Sequence, residues 1–248
     1  MGKKRSLVPA FFTMGNMVMG FVSIIFSSRY DPRIGNVDCL IIAGVLIFVA
    51  SIFDMFDGAV ARALDVESEL GMQLDSLADA VAYGIAPGIL AYHSYLYMFP
   101  EKFGILGPGI VIASVFPICA VYRLARFNCE ESGQSFTGLP SPAAGVLIGS
   151  ISAVMVSDQP FFGEVTFVMP LSVYSAVYLF TAYLMVSEFD YRKLFSDLWK
   201  KGLAARIITP TVIILLLIFF KTWSIFVVAS AYIIWGLIKN IIDKVQKG

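Results

Sequence analysis

Charge is scarce in this chain. Asp, Glu, Lys and Arg together make up 15% of its 248 residues, whereas soluble proteins contain about 25%. The 18 basic and 18 acidic residues balance, so the net charge argues against a nucleic-acid partner. There is one histidine, and the three cysteines, Cys39, Cys119 and Cys129, form no close pair. This composition excludes the usual patterns of a zinc site and of a disulfide framework.

Hydrophobic residues, by contrast, make up 58% of the sequence and fall in long runs. Eight windows approach the roughly 20 residues that a helix needs to cross a bilayer. They lie at about residues 9–28, 37–57, 72–98, 105–127, 139–157, 165–187, 205–221 and 223–240. The pattern predicts an all-α, polytopic membrane helix bundle. The basic N-terminus imitates a signal peptide, but no small-residue cleavage site follows it, so we expect a retained first span.

Basic residues are distributed unequally between the two ends of these helices. If the N-terminus is cytoplasmic, the loops on the opposite side contain only Arg29, Arg33, Lys102 and Lys221. The other 14 of the 18 Lys and Arg residues lie on the cytoplasmic side, as the positive-inside rule requires. The bias predicts that both termini are cytoplasmic, in agreement with an even number of spans.

Four aspartates lie at the facing ends of the second and third windows: Asp54, Asp57, Asp75 and Asp79. An Asp at the centre of a membrane helix costs about 2.5–3.5 kcal/mol on an insertion scale. Each pair occupies one face of its helix, so two consecutive antiparallel helices direct the four carboxylates towards each other. Such a cluster needs a water-filled cavity, a cationic partner or metal ions.

The cluster offers only oxygen ligands, which suit Mg²⁺, Mn²⁺ or Ca²⁺ rather than zinc. Two divalent ions about 4 Å apart are a known arrangement for phosphate chemistry. An ion-transport site and a purely structural polar cluster are the alternatives. The residues alone leave these alternatives open.

The spacing of the cluster follows a recognisable motif. It reads Asp54-x2-Asp57-Gly58-x2-Ala61-Arg62-x8-Gly71-x3-Asp75-x3-Asp79. All eight fixed positions match the motif of the CDP-alcohol phosphotransferase family, which the chain resembles over about residues 8–187. The resemblance implies a six-helix family core, followed here by two C-terminal transmembrane helices, and it suggests a homodimer.

The resemblance also implies a role for each motif residue. Asp54, Asp57 and Asp75 bind metal, and Asp79 is both a metal ligand and the general base that takes the proton from the acceptor alcohol. The implied cofactors are two divalent ions, Mg²⁺ or Mn²⁺. Small residues let a nucleotide approach helix backbone closely, and an arginine offers a fixed fork of donors to phosphate. The residues implied to line the nucleotide are Gly58, Ala61, Arg62 and Gly71.

Two later segments bear on the acceptor alcohol. Residues 123–128 read RLARFN, and residues 138–144 read GLPSPAA. Both look like segments of the phosphatidylserine synthases, the CDP-diacylglycerol–serine O-phosphatidyltransferase branch of the family. The entry to the first span, with Thr13 and Asn16, resembles that branch as well. The resemblance implies that CDP-diacylglycerol and L-serine are the substrates and that CMP is released.

Three residues of the first segment, Arg123, Arg126 and Asn128, are candidates for contact with the serine carboxylate or a lipid phosphate. The alternative for the arginines is a pair of cations that the dipole of a cytoplasmic helix end stabilises. Glycerol 3-phosphate or an inositol phosphate would undergo the same reaction, so the acceptor stays open. A divalent-cation transporter is the rival from another class, but it would need a polar route to the outer face, where no second acid cluster lies.

These expectations divide the chain into three parts. Residues 1–187 are the predicted transmembrane core, and residues 188–204 form a cytoplasmic connector whose composition suits an interfacial helix. Residues 205–248 form the two-helix extension. We expect an integral protein of a bacterial or archaeal cytoplasmic membrane, with its active site facing the cytoplasm.

Overall fold

The computed structural model describes residues 7–66, 68–100, 107–129, 138–156, 169–189, 191 and 222–247, and every regular element within them is a helix. The elements are α1 (Leu7–Ser28), α2 (Asp38–Leu64), α3 (Glu69–Asp79), a π-helical turn (Ala80–Ile85), α4 (Ala86–Ser94), a short 3-10 turn (Leu96–Met98), α5 (Pro108–Cys129), α6 (Ser141–Val156), α7 (Leu171–Val186) and α8 (Thr222–Lys247). The π-helical turn joins α3 and α4 into one continuous helical run. The all-α prediction is confirmed for this part of the chain.

Within the described residues, five helical segments are long and apolar enough to cross a membrane: Pro9–Ser28, Asp38–Ala61, Glu69–Ser94, Pro108–Cys129 and Ile225–Ile242. Two shorter apolar helices accompany them, at Ser141–Val154 and Leu171–Val186. Seven of the eight predicted windows therefore contain a helix. The remaining window, 205–221, lies outside the described residues, as does most of the predicted connector at 188–204.

A tight turn reverses the chain between α2 and α3. Asp65 has a left-handed backbone conformation, with φ of 53°, which aspartate adopts more readily than most residues. The N–H of Val66 then bonds to the carbonyl of Ala61 at 3.1 Å. Ser68 caps α3, because its side-chain oxygen accepts a hydrogen bond of 3.1 Å from the N–H of Gly71. The turn brings the aspartates of the two helices to the same end of the bundle.

Glycines allow close helix crossings next to the aspartates. A Cβ atom added at Gly20 of α1 would lie 2.6 Å from the Cα of Ala82 in the π-helical turn. At Gly44 of α2, an added Cβ would lie 2.5 Å from the carbonyl oxygen of Gly149 on α6. Because both obstacles are backbone atoms, these positions require glycine. Small residues at crossings are the common means of close helix packing in membranes.

The π-helical turn follows directly after Asp79. The N–H of Ala86 bonds to the carbonyl of Val81, five residues earlier rather than four. Pro87 lies in the first turn of α4. Because proline has no N–H, the carbonyl of Tyr83 cannot receive the regular α-helical hydrogen bond. The wider turn accommodates this proline within a continuous helical run.

The last helix packs against the core. Ala229 and Ile233 of α8 belong to the same buried apolar cluster as residues of α6 and α7. A Cβ atom at Gly236 of α8 would overlap the ring of Tyr191, and the rings of Tyr191 and Tyr232 lie 6.2 Å apart. The described part of the predicted extension is therefore joined to the core by side-chain packing.

Candidate metal and substrate site

Three of the four motif aspartates come together. Asp54, Asp57 and Asp75 each place one carboxylate oxygen within 4.8 Å of the others. Asp57 is buried, with 5% of its surface exposed, and the other two are half-buried. Carboxylates at this separation repel one another, and the repulsion is stronger where little water surrounds them. The arrangement is a candidate site for a cation that neutralises the three charges.

The donors present fit a hard divalent cation. All three are carboxylate oxygens, which are the ligands that Mg²⁺ and Mn²⁺ prefer. Oδ1 of Asp75 is buried and receives no hydrogen bond from the part of the chain that the structure describes. Buried acceptors in proteins are almost always paired. A bound cation would supply the missing partner of Asp75.

The fourth aspartate, Asp79, is held by α1. Its Oδ1 accepts a hydrogen bond of 2.9 Å from the side-chain amide of Asn16, and both side chains are buried. Asp79 lies one turn after Asp75 on α3 and within electrostatic range of Asp54 and Asp75. Asp79 therefore lies beside the three carboxylates, but it is not in the group whose oxygens lie within 4.8 Å of one another.

Asn16 is a site residue whose role the sequence alone does not predict. The sequence did carry a signal, because a polar amide within an apolar span is expected to bond to another helix of the bundle. Its partner is 63 residues away along the chain. No local pattern connects the two positions, so only the packing of α1 against α3 identifies the pair.

The four predicted nucleotide residues lie on both sides of the α2–α3 turn. Gly58 and Ala61 are half-buried on α2, next to the first aspartate pair. Gly71 is exposed in the first turn of α3, where its N–H bonds to Ser68. Arg62 belongs to α2, but its side chain lies outside what the structure describes. Their role in nucleotide binding stays a prediction.

Arg123 reaches the site from α5. Its Nη1 donates a hydrogen bond of 2.8 Å to the hydroxyl of Ser141, the first residue of α6. Its Nε is buried and finds no acceptor among the residues described. The guanidinium lies within electrostatic range of Asp79 and of Tyr232 on the last helix. Arg123 is thus held near Asp79 by its contact with Ser141.

The residues just before Ser141 are attached to the end of α7 and the segment that follows it. Gly138 has φ of 93°, a conformation that favours glycine. The N–H of Gly138 donates to the carbonyl of Phe189 at 2.7 Å, and the N–H of Leu139 donates to the carbonyl of Leu184 at 2.9 Å. These bonds fix the start of α6, and with it the partner of Arg123.

The other two acceptor candidates differ from Arg123. Arg126 lies one turn later on α5 and is half-buried. The side chain of Asn128 exchanges hydrogen bonds with the hydroxyl of Ser76 on α3, at 3.0 and 3.2 Å. Asn128 therefore joins α5 to α3 beside Asp75. The predicted contacts of Arg126 and Asn128 with substrate stay predictions.

Comparison with known proteins identifies the family to which this site belongs. The model of the CDP-alcohol phosphatidyltransferase family matches residues 6–187. The chain belongs to this family. The match contains the whole acid motif and the segments around Arg123 and Ser141, and it confirms the resemblance inferred from the motif.

Relatives of this CDP-alcohol phosphatidyltransferase occur in bacteria and archaea. A Helicobacter pylori protein named CDP-diacylglycerol–serine O-phosphatidyltransferase is 30% identical over 244 residues, covering 94% of this chain and 90% of the relative. A Bacillus subtilis protein of the same name is 36% identical over 146 residues, covering 58% and 75%. An archaetidylserine synthase from Methanothermobacter thermautotrophicus is 37% identical over 147 residues, covering 58% and 56%. The predicted branch is confirmed by these names.

Proposed function

We propose that this CDP-alcohol phosphatidyltransferase synthesises phosphatidylserine from CDP-diacylglycerol and L-serine. The serine hydroxyl oxygen attacks the phosphorus that carries the diacylglycerol, and a new P–O bond forms. The bond between that phosphorus and the bridging oxygen of the pyrophosphate breaks. CMP leaves with the electron pair of the broken bond, and the serine proton passes to Asp79.

In this proposal the acid motif holds two divalent ions, Mg²⁺ or Mn²⁺. Asp54, Asp57 and Asp75 supply the main ligands and Asp79 a further one. Divalent ions held there would offset the negative charge of the pyrophosphate and would stabilise the charge that develops during the transfer. The close approach of three carboxylates and the unpartnered Oδ1 of Asp75 support this assignment.

Asp79 accepts the proton of the acceptor. A carboxylate is a weak base towards an alcohol, so proton transfer accompanies the attack on phosphorus rather than preceding it. The amide of Asn16 occupies Oδ1 of Asp79 and fixes the direction of the carboxylate. We therefore assign the proton transfer to Oδ2.

Arg123 binds the carboxylate of serine in this proposal. Its anchored Nη1 and its unsatisfied Nε support the role, since an arginine held in place loses little freedom when it binds an anion. Arg126 and Asn128 extend this donor set towards the lipid phosphate. The nucleotide lies along Gly58, Ala61, Arg62 and Gly71, where the small residues leave room for it.

The proposal depends chiefly on the close approach of the carboxylates of Asp54, Asp57 and Asp75. It is supported by the alignment of 94% of the chain with a protein named a serine O-phosphatidyltransferase. The test supplies the purified protein with CDP-diacylglycerol, Mg²⁺ or Mn²⁺, and radiolabelled L-serine. We expect label in the lipid fraction and one CMP released for each serine incorporated. Parallel reactions contain glycerol 3-phosphate or inositol phosphate. Transfer to one of these with none to serine would refute the proposed acceptor.

The lipid substrate could have an ester-linked or an ether-linked backbone. The archaeal relative is named an archaetidylserine synthase and is 37% identical over 147 residues. We propose that the ester-linked diacylglycerol form is the substrate here, because the H. pylori protein matches much more of the chain. Competition between CDP-diacylglycerol and its ether-linked archaeal counterpart at equal concentration tests this choice. A higher kcat/KM for the ether lipid would show that the ether-linked form is the preferred substrate.

We also propose that the protein spans the cytoplasmic membrane with its acid motif facing the cytoplasm, and that it forms a homodimer. The distribution of basic residues supports the orientation. Cys129 is exposed at the end of α5, on the proposed cytoplasmic side. A membrane-impermeant thiol reagent should label it in inverted vesicles and not in right-side-out vesicles, with Cys39 and Cys119 replaced by Ser. Cross-linking in the membrane tests the dimer.

A further inference from the structure

Tyr83 is a buried residue near the acid motif that the proposed mechanism does not use. It lies in the π-helical turn, four residues after Asp79, and none of its surface is exposed. Its hydroxyl is buried and has no hydrogen-bond partner in the described part of the chain. Buried hydroxyl groups are normally paired, so an unpaired one calls for an explanation.

The surroundings of Tyr83 differ between its ring and its hydroxyl. The ring packs in an apolar cluster with Ile47 and Ala50 of α2. A Cβ atom at Gly145 of α6 would come within 3.2 Å of the Tyr83 ring and backbone, so α6 encloses the residue from the other side. The hydroxyl lies within electrostatic range of all four motif aspartates. Tyr83 therefore lies about one helical turn after Asp79, enclosed by α2 and α6, with its hydroxyl under the influence of the acid motif.

Other buried tyrosines show what a structural hydroxyl looks like in this fold. The hydroxyl of Tyr178, in the core between α5 and α7, donates a hydrogen bond of 2.7 Å to the carbonyl of Ala113. Tyr191 also has a buried hydroxyl without a partner in the described residues, but none of the motif aspartates acts on it. Tyr83 alone among these three combines an unpaired hydroxyl with a place at the acid motif.

The backbone conformation at Tyr83 also indicates a functional role for this residue. Single π-helical turns inside α-helices occur frequently at functional sites. Here the turn starts directly after the proposed base, and it places Tyr83 against Gly145 of α6 and within electrostatic range of the aspartates. A tyrosine hydroxyl is both donor and acceptor, and the aspartates leave it unbonded. An oxygen that arrives with the substrates would supply the partner that the described residues do not.

We propose that the Tyr83 hydroxyl donates a hydrogen bond to a substrate oxygen at the reaction centre. Two oxygens share this chemistry: a phosphate oxygen of the nucleotide-activated lipid and the hydroxyl oxygen of the acceptor alcohol. The inference rests on the proposed function, because that function supplies both oxygens. It makes Tyr83 a catalytic residue in addition to the acid motif.

The test compares Tyr83→Phe with Tyr178→Phe. Tyr83→Phe removes only a hydroxyl that has no partner in the described part of the chain, so its unfolding temperature should equal or exceed that of the wild type. Its kcat/KM should fall about ten- to a hundredfold, as for a lost hydrogen bond to a charged group. Tyr178→Phe should show the reverse, with a lower unfolding temperature and unchanged kinetics. The two variants thus separate a catalytic from a structural hydroxyl.

Separate measurements identify the oxygen. Titration of CDP-diacylglycerol without acceptor gives its Kd, and initial rates give the KM of serine. Weaker lipid binding with an unchanged serine KM assigns the phosphate oxygen, and the opposite result assigns the acceptor hydroxyl. A Tyr83→Phe protein with kcat, lipid Kd and serine KM all within twofold of the wild type would overturn the inference. If the wild type transfers to another alcohol instead of serine, the proposed acceptor fails, and the same comparison with that alcohol still decides the role of Tyr83.

Discussion

The side-chain amide of Asn16 on α1 donates a hydrogen bond of 2.9 Å to Oδ1 of Asp79 on α3. Both side chains are buried, so water does not compete strongly for the contact. The bond connects the first helix of the chain to the residue that we propose as the base. The orientation of that base therefore depends on a helix outside the acid motif.

Removing the Asn16 amide should impair catalysis. A hydrogen bond to a charged group contributes about 1.5–3 kcal/mol, so Asn16→Ala should lower kcat about ten- to a hundredfold. Asn16→Asp should be worse, because it replaces the donor with a second carboxylate against Asp79. Initial rates of serine incorporation at saturating substrates measure both effects.

Thr13 provides the control on the same helix. Its hydroxyl bonds to the carbonyl of Pro9 within α1, at 3.2 Å, and it is buried like Asn16. Thr13→Val removes this local bond and keeps the shape of the side chain, so kcat should change less than twofold. Equal losses in Thr13→Val and Asn16→Ala would show that α1 acts through packing and not through Asp79.

The sequence predicts the acid motif well because its spacing is local to two consecutive helices. The i, i+3 and i, i+4 separations place Asp54 with Asp57 and Asp75 with Asp79 whatever the rest of the chain does. The roles of Asn16 and Tyr83 cannot be predicted in this way, for two different reasons. Asn16 meets its partner through a long-range helix contact, and Tyr83 acquires its position through a π-helical turn that no hydrophobic period reveals.

The acceptor side of the site was predicted only in part. Residues 138–144 resemble a segment of the serine branch, and the structure adds that Ser141 anchors Arg123. The sequence predicts Asn128 as a substrate contact together with the arginines, and the structure adds that its side chain bonds to Ser76. A helix end rich in Arg and Asn predicts donors for an anion, but it cannot tell which of them already have a partner on a neighbouring helix.

The three clustered carboxylates predict a stability effect of divalent ions. Without metal the charges of Asp54, Asp57 and Asp75 repel, so the wild type in EDTA should be inactive and less stable. A ligand at a hundred times its Kd stabilises the folded state by about 2.7 kcal/mol. Asp75→Asn should be at least as stable as the wild type in EDTA and should gain less from Mg²⁺ or Mn²⁺. Thermal unfolding across a metal titration measures both quantities.

Asp31 is the matched control for this experiment. It lies in the loop between α1 and α2, where its Oδ1 accepts a hydrogen bond of 2.8 Å from the N–H of Arg33. Asn can accept the same bond, so Asp31→Asn should keep the full metal-dependent stabilisation. Activity of the wild type in excess chelator, or equal metal stabilisation in Asp75→Asn and Asp31→Asn, would contradict the metal assignment.

Asp79→Asn should separate catalysis from binding. Loss of a general base lowers rates about 10²- to 10⁴-fold, whereas Asp54, Asp57 and Asp75 remain to hold metal and nucleotide. We expect turnover to be lost and metal-dependent binding of CDP-diacylglycerol to be retained at least in part. Binding is measured by titration with the labelled lipid, with and without chelator. Normal turnover by Asp79→Asn would remove Asp79 from the role of base.

The contact between Arg123 and Ser141 predicts an effect on the acceptor. Ser141→Ala removes the anchor of the guanidinium. A hydrogen bond to a charged group contributes about 1.5–3 kcal/mol, and only the part that orients Arg123 affects the binding of serine. The KM of serine should rise about three- to tenfold with little change in the KM of CDP-diacylglycerol. Arg123→Lys should raise it further, because lysine keeps the charge and loses the fork of donors.

Ser150 on the same helix tests whether these changes are specific. Its hydroxyl bonds to the carbonyl of Leu147 within α6, at 2.8 Å, so Ser150→Ala should leave both KM values unchanged. If Ser141→Ala and Arg123→Lys instead raise the KM of CDP-diacylglycerol alone, Arg123 serves the lipid phosphate and not the serine carboxylate.

Gly20 links the packing of α1 to the chemistry at Asp79. A Cβ atom at Gly20 would lie 2.6 Å from the Cα of Ala82, and a backbone atom cannot move aside as a side chain can. Gly20→Ala should therefore displace α1, destabilise the protein by about 1–3 kcal/mol as overpacked cores do, and lower kcat by weakening the bond between Asn16 and Asp79. Thermal unfolding and serine incorporation measure the two losses.

Two further substitutions, at Val18 and at Ala82, serve as the control and the compensating change for Gly20→Ala. Val18 is 50% exposed on the same helix, so Val18→Leu adds volume on the outer face and should alter neither quantity. Adding Ala82→Gly to Gly20→Ala removes a methyl group that lies 2.9 Å from the new Cβ, but the Cα at 2.6 Å remains. The double variant should therefore recover only part of the lost stability and activity. Full recovery would place the obstruction in the Ala82 side chain, and equal behaviour of Gly20→Ala and Val18→Leu would show that the crossing does not control Asn16.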